Sequence, residues 1–205
     1  MEYTLKKLPK EPKAYSKVIS EQVVGFHHDK HQGGYVTKLN EIENKLMQFD
    51  PLSANANYSD WSDAKRRVTF NKAGIVLHEN YWEVFGSNGK FKDSYEVINM
   101  IQKSFGSVEN WMADFTATAK SALGWAVMVY DPSEDRMVNV LVDYHNIGAM
   151  WGTKLIIALD VFEHAYYKDF GPDRATYIVK FMASLDWENI NKIYTKCGCE
   201  KECSC

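Results

Sequence analysis

The sequence predicts an α+β fold: an N-terminal antiparallel helical hairpin, then an α/β domain with a small three-stranded antiparallel sheet. Three observations carry this. Apolar residues and histidines recur at three- and four-residue steps through the first half, which is helical spacing. The runs "WAVMVYD" and "RMVNVLVDY" flank the Pro-containing turn "PSED", as in an antiparallel hairpin. "KLIIALD" is a third apolar, β-rich run and supplies the remaining strand.

The first helix is expected from Ser20 to about Phe49, where Val23, Val24, His27, His31, Tyr35, Leu39, Ile42 and Leu46 form the periodic set. Ser20 is a suitable N-cap, with Glu21 favourable in the first turn. "DPLSANANYSDWSD" is rich in turn formers and ends that helix. A second helix follows over 64–85, and "GSNGK" links it to the second half. "SYEVINMIQKSFG" and "SVENWMADFTATAKSA" read as two further helices, the second capped by Ser107. After the three strands, "PDRATYIVKFMASLDWENINKIY" closes the fold with helix. The divisions are 1–88 for the hairpin domain, 89–196 for the α+β domain, and 197–205 for a Cys-rich, disordered tail.

The chain has 205 residues, enough for one sizeable domain or two small ones sharing a core. Its formal net charge of −3, with no basic block, argues against nucleic acid as a partner. "MEYTLKKLPKEPKAY" has no apolar signal region, and "ALGWAVMVY" is too short to cross a bilayer, so a cytoplasmic protein without membrane attachment is expected. Cys197, Cys199, Cys203 and Cys205 all lie in the tail. None is left to staple the body, which fits a reducing compartment. Paired C-x-C spacing suits soft metals in principle; the expectation here is a charged tail that binds metal only adventitiously.

The chemistry concentrates in ionisable residues placed among apolar ones. "LIIALDVFEHAYY" carries Asp160, Glu163 and His164 in the greasiest part of the chain. Burying such groups costs several kcal/mol unless something pairs with them. His27 and His31 are four apart on one helical face, and His78 sits in "AGIVLHENYW". His28 is expected on the solvated side. A hairpin offering two histidines and an α+β half offering Asp and His could enclose a metal between them. Imidazoles with a carboxylate suit iron, manganese or zinc. Three imidazoles and one carboxylate would leave a divalent ion net positive, with room for an exchangeable solvent.

Five stretches taken together are more specific. "FHHDKHQGGYVTKLN", "VLHENYWEVFG", "SFGSVENWMADF", "GWAVMVYD" and "LDVFEHAYYKDF" resemble, in order and from Leu5 to Tyr194, the iron/manganese superoxide dismutases. "DVFEHAYY" is close to that family's D-x-[WF]-E-H signature. The resemblance implies a superoxide dismutase, an oxidoreductase turning superoxide into dioxygen and hydrogen peroxide at one metal ion per subunit. It implies His27, His78, Asp160 and His164 as ligands. His31 is implied near the substrate channel, Tyr35 as the gateway to a hydrogen-bond relay, and His145 as the outer-sphere partner of that relay. Trp82 and Trp125 would wall the site. Glu163 and Tyr167 would reach across a homodimer or homotetramer interface. Lys30 is a candidate for steering the superoxide anion, since the chain as a whole is negative.

This chain departs from the family pattern at several points. Ile75 stands where a second histidine is usual, Gln32 where many members have His, and Phe162 where Trp is commoner. The segment before "GWAV" is short, and "LPKEPKAY" lacks the usual aromatic. Gly74 occupies a position where many iron members carry Gln, while His145 occurs in a branch with many iron and some dual-metal enzymes. Iron is therefore the expected metal, with manganese as the alternative. A non-haem iron oxygenase and a non-catalytic metal-binding or assembly relative are the rival readings. A third histidine would crowd the positions an oxygenase needs open, and a scaffold has no reason to keep the whole constellation.

Overall fold

The computed structural model describes residues 2–199. α1 (Glu21–Gly25) starts where Ser20 caps it, its Oγ accepting from the Val23 N–H at 3.3 Å. The chain then passes without a break through a π-helical stretch, Phe26–Gln32, into α2 (Gly33–Leu46). The single long helix expected from the periodicity thus has a wider-wound segment in it, carrying His27, His28 and His31. Such π segments are rare and concentrate at functional sites.

α3 (Asp60–Val84) returns antiparallel against α2. It begins before Ala64, because Ser59 and Ser62 satisfy each other's backbone N–H groups in a reciprocal cap. "YSDWSD", expected as loop, is therefore partly a helix start. The N-terminal segment lies across the hairpin, where the Asn40 amide bonds both N–H and C=O of Tyr3 at 2.9 Å.

In the second half, α4 (Glu96–Phe105) and α5 (Val108–Ser121) precede the strands, and Ser107 caps α5 through the Asn110 N–H at 3.1 Å. β1 (Trp125–Asp131), β2 (Arg136–Val142) and β3 (Lys154–Asp160) make one antiparallel sheet in the order β2-β1-β3. The register places Trp125 opposite both Val142 and Asp160, with an irregularity between Met128 and Val129 on the β3 side.

β3 is an edge strand, yet its outer backbone groups are not left bare. Asn80 of α3 donates to the Ile156 carbonyl at 3.2 Å and accepts from the Ala158 N–H at 2.7 Å. A buried asparagine in α3 thereby stands in for a neighbouring strand.

The chain closes with α6 (Glu163–Phe170), α7 (Arg174–Met182) and α8 (Trp187–Cys199). α8 runs past Lys196, so the boundary expected for the tail falls inside a helix. Residues 200–205, with Cys203 and Cys205, lie outside the described residues. One continuous core joins the hairpin to the sheet, centred on fully buried Trp82, Trp111, Trp125, Tyr15, Tyr81, Tyr177, Phe85, Phe115 and Phe181. Burying a Phe-sized side chain contributes about 1.5–3 kcal/mol, so these rings dominate the packing that holds the halves together.

Candidate metal centre

Four elements deliver one side chain each to a buried point between the halves. His27 comes from the π-helical stretch, His78 from the middle of α3, Asp160 from the last residue of β3, and His164 from the first turn of α6. His164 is thus already helical, since α6 starts at Glu163, immediately after Phe162. His27, His78 and Asp160 are fully buried. Asp160 Oδ2 is 3.0 Å from His27 Nε2, 3.2 Å from His164 Nε2 and 3.6 Å from His78 Nε2. The potential donor atoms of the four residues all lie within 4.8 Å of one another.

The surroundings select which atoms face that point. His78 Nδ1–H donates to the Gly74 carbonyl at 2.6 Å, which leaves Nε2 with a free lone pair. Asp160 Oδ1 accepts the Phe162 N–H at 2.9 Å, so Oδ2 is the oxygen left to face the imidazoles. His78 Nε2 and His164 Nε2 are buried without a hydrogen-bond partner. Orphaned nitrogens of this kind are costly unless a ligand satisfies them. Borderline imidazole nitrogens with one hard carboxylate are a donor set that fits iron or manganese.

Electrostatics favour the ligand-ready protonation states. Burial lowers His27 to about 4, against the opposing pull of Asp160, and lowers His78 well below the ordinary histidine value. Both are neutral imidazoles near pH 7. Burial pushes the Asp160 carboxyl up, but the interactions with His164 and His27 outweigh it and hold the group below the usual carboxylate range. For His164, burial is overcome by the charge of Asp160, 3.2 Å away, which raises it. A cation arriving at this point would compete with a proton for the His164 ring.

A second layer closes over the four. Trp125 Nε1–H donates to His145 Nδ1 at 3.0 Å, so neutral His145 carries its proton on Nε2. Burial lowers His145 to about 4, which keeps it neutral. Its ring lies 4.7 Å from that of Tyr35, and the Tyr35 ring lies 5.5 Å from that of His78. Burial and the Asp160 charge raise the Tyr35 hydroxyl to about 12. Trp82 packs 5.0 Å from His27 and donates Nε1–H to Gln32 Oε1 at 2.8 Å. Gln32, at the position where a histidine is common, thus accepts an indole N–H in the wall.

His31 is exposed and stacks on His164 at 4.2 Å, on the outer side of the site. Lys30, Glu163 and Tyr167 are exposed, away from the buried point where the four side chains converge. His28 is not on the solvated side. It is buried and bonds Asp29 at 2.6 Å and the Lys6 carbonyl at 2.8 Å, because the N-terminal segment covers that face of the helix.

Phe70 and Tyr177 escaped the sequence reading, and so did the packing role of Gly74. A Cβ on Gly74 would lie 3.1 Å from His145 Cδ2 and 3.2 Å from Tyr35 Cδ2, so glycine lets these rings close over His78. Phe70 completes their pocket at 4.5 Å from His145. Tyr177 donates to the Asp160 main-chain carbonyl at 2.8 Å. In the sequence these look like helix interior and ordinary core.

Four potential donors converge between a helical hairpin and an α/β half, the arrangement that a mononuclear metal site of the three-histidine, one-carboxylate class would need. The comparisons name the family. The model of the alpha-hairpin domain of iron/manganese superoxide dismutases matches residues 2–86, and that of their C-terminal domain matches residues 77–193. A manganese superoxide dismutase of Halobacterium salinarum is 40% identical over 91% of this chain and 92% of its own length. One from Haloarcula marismortui is 40% identical, covering 92% of both chains. An iron superoxide dismutase of Aquifex aeolicus is 34% identical over 87% of this chain and 85% of its own. The chain belongs to the iron/manganese superoxide dismutase family, and it is an oxidoreductase, a superoxide dismutase.

Proposed function

We propose that His27, His78, Asp160 and His164 hold one iron or manganese ion per subunit, and that Tyr35, His31 and His145 manage substrate and protons beside it. The observation that carries this reading is the convergence of three imidazoles on a single carboxylate oxygen in a buried pocket. Held by these residues, an iron or manganese ion would supply the one-electron redox chemistry by which two superoxide ions and two protons become dioxygen and hydrogen peroxide. Peroxide leaves with two protons, and the residues present can hold and pass them. Tyr35 keeps its hydroxyl proton at neutral pH, and His145 holds one at Nε2. Trp82 and Trp125 exclude water, which strengthens every charge interaction inside. Asp160 Oδ2 brings the only negative charge among the four ligands.

Iron, the expectation from sequence, and manganese share this donor set. The relatives at 38–40% identity are named manganese enzymes and those at 34% iron enzymes, an ordering that favours manganese. Exposed Lys30, one residue before His31, is proposed to steer the anion. Glu163 and Tyr167, exposed on α6, are proposed to meet a second copy of the chain in a homodimer or a homotetramer. No described helix is long and apolar enough to cross a membrane, and the cysteine-free body suits a cytoplasmic setting.

Elemental analysis of the purified protein beside a superoxide-consumption assay tests the reading. About one equivalent of iron or manganese with dismutase activity is expected. A metal-loaded protein without that activity overturns it. His78→Ala and His164→Ala are each expected to lose metal and activity together; retention of both after losing one histidine favours the oxygenase-type site.

A further inference from the structure

We propose that Tyr177, backed by Tyr81, is a positioning residue of the metal centre: it fixes the backbone of Asp160 so that Oδ2 faces the three imidazoles. The inference rests on the ligand set proposed above.

The geometry begins at the edge of the sheet. β3 pairs only with β1, so every second residue of β3 turns its backbone groups outward. Asn80 satisfies such groups at Ile156 and Ala158. Asp160 is next in that series, and its outward carbonyl accepts the Tyr177 hydroxyl at 2.8 Å. On the inner side, the following Val161 N–H donates to the Gly124 carbonyl at 2.8 Å and continues the ladder toward β1. The Phe162 N–H holds Oδ1. Asp160 is therefore pinned at its carbonyl, at the next peptide and at one carboxylate oxygen. The remaining degree of freedom is spent on where Oδ2 points.

Tyr177 cannot move without disturbing its own partners. It is fully buried, and its ring stacks on Tyr166 at 5.2 Å. Tyr166 follows His164 by two residues on α6, so one side chain of α7 braces both ligand-bearing segments. The Tyr81 hydroxyl lies 3.1 Å from that of Tyr177. Since the single Tyr177 proton goes to Asp160, Tyr81 is the donor to Tyr177. Donation into a hydroxyl polarises it and strengthens the bond it makes in turn. Tyr81 also packs its ring 5.2 Å from His27. The two tyrosines thus link α3, α7, the end of β3 and a second ligand in one buried chain. A phenol pair in an otherwise apolar core is expensive to bury, and this role accounts for both hydroxyls.

The test is a double-mutant cycle on the full-length protein: Tyr177→Phe, Tyr81→Phe and both together, with Asp160→Asn as a control. Manganous ion is titrated into metal-free protein by chelator competition, well below the unfolding temperature, and the thermal midpoint of each metal-free variant is recorded. Tyr177→Phe is expected to weaken manganous-ion binding about tenfold, as loss of an outer-layer partner does. Tyr81→Phe is expected to weaken it about threefold through the lost polarisation. The double variant should bind no worse than Tyr177→Phe, because Tyr81 acts through Tyr177. Wild-type affinity in Tyr177→Phe, with only a lowered midpoint, overturns the positioning role, as do fully additive effects. Should Tyr177→Phe not fold, Tyr81→Phe carries the test, and wild-type affinity there overturns the proposal. Unchanged affinity in Asp160→Asn refutes the ligand set itself, which separates that failure from the failure of the tyrosine pair.

Discussion

At the scale of single residues, the site is assembled by what its neighbours leave no room for. Gly74 shows this most directly, since a methyl group there would meet His145 and Tyr35 at 3.1–3.2 Å. Gly74→Ala is expected to push these two rings apart without removing a ligand. Metal content should stay near one equivalent while turnover falls about tenfold or more, the scale of loss that displacing a positioned group brings. Equal metal content with unchanged turnover counts against a role for this close approach. The buried histidines also set an acid limit on the metal-free fold. His27 and His145 are lowered to about 4 when folded, against an ordinary value of 6.5, and His78 is lowered further. Between pH 6.5 and 4 the unfolded chain takes protons that these folded rings refuse. His27 and His145 each therefore subtract up to ~3 kcal/mol of stability as the pH falls through that window, and His78 acts in the same direction. Raised His164 acts oppositely, contributing stability at low pH that is lost as pH rises through its folded value. With His31 lowered by burial as well, four rings against one predict a thermal midpoint of the metal-free protein that falls on acidification from pH 6.5 to 4. A flat profile would contradict the assignment of neutral buried imidazoles.

At the scale of elements, what was legible in the sequence follows from what is local. β1 and β3 coincide with the runs "WAVMVYD" and "KLIIALD", because β-branched and aromatic residues and the bounding turns are written in the chain itself. Ser20 and Ser107 announce helix starts in the same way. The four central residues were legible as ionisable groups in apolar stretches. The Ser59–Ser62 cap was hidden inside a segment dense in turn formers, and the π-helical stretch has no periodicity distinct enough to mark it. Tyr177 and Asn80 were illegible for a different reason: each serves the outer edge of β3, a partner more than 15 residues away in sequence at the nearest. Asn80→Ala tests the edge seal. It leaves the Ile156 carbonyl and the Ala158 N–H buried without partners, and two such groups cost roughly 2–4 kcal/mol. Chemical denaturation should show a loss of that size, with β3 amides exchanging hydrogen faster than those of β2.

At the scale of the whole molecule, one aromatic core spans both halves, so the division near residue 88 marks a change of texture within a shared interior. The family matches overlap across 77–86, the very stretch of α3 that carries His78, Tyr81 and Trp82. The C-terminal cysteines stand apart from this interior in sequence. A chain ending at Lys196 is expected to keep metal and dismutase activity, measured per bound metal, within about twofold of the full chain, since the four central residues and the described core all precede that point. A large loss would give the tail a part in supplying metal.

The four central residues sit at positions 27, 78, 160 and 164, so the donor set closes a loop of most of the chain. Closing long loops is slow, and contacts of high sequence separation form late in folding. During synthesis, no segment emerging before residue 164 offers more than three of the four donors. The hairpin alone offers two imidazoles without their carboxylate. On the proposed ligand set, metal capture belongs to a finished or nearly finished chain and acts as a lock set after docking. Refolding rates should be independent of manganous-ion concentration, while unfolding rates should drop as the ion is added.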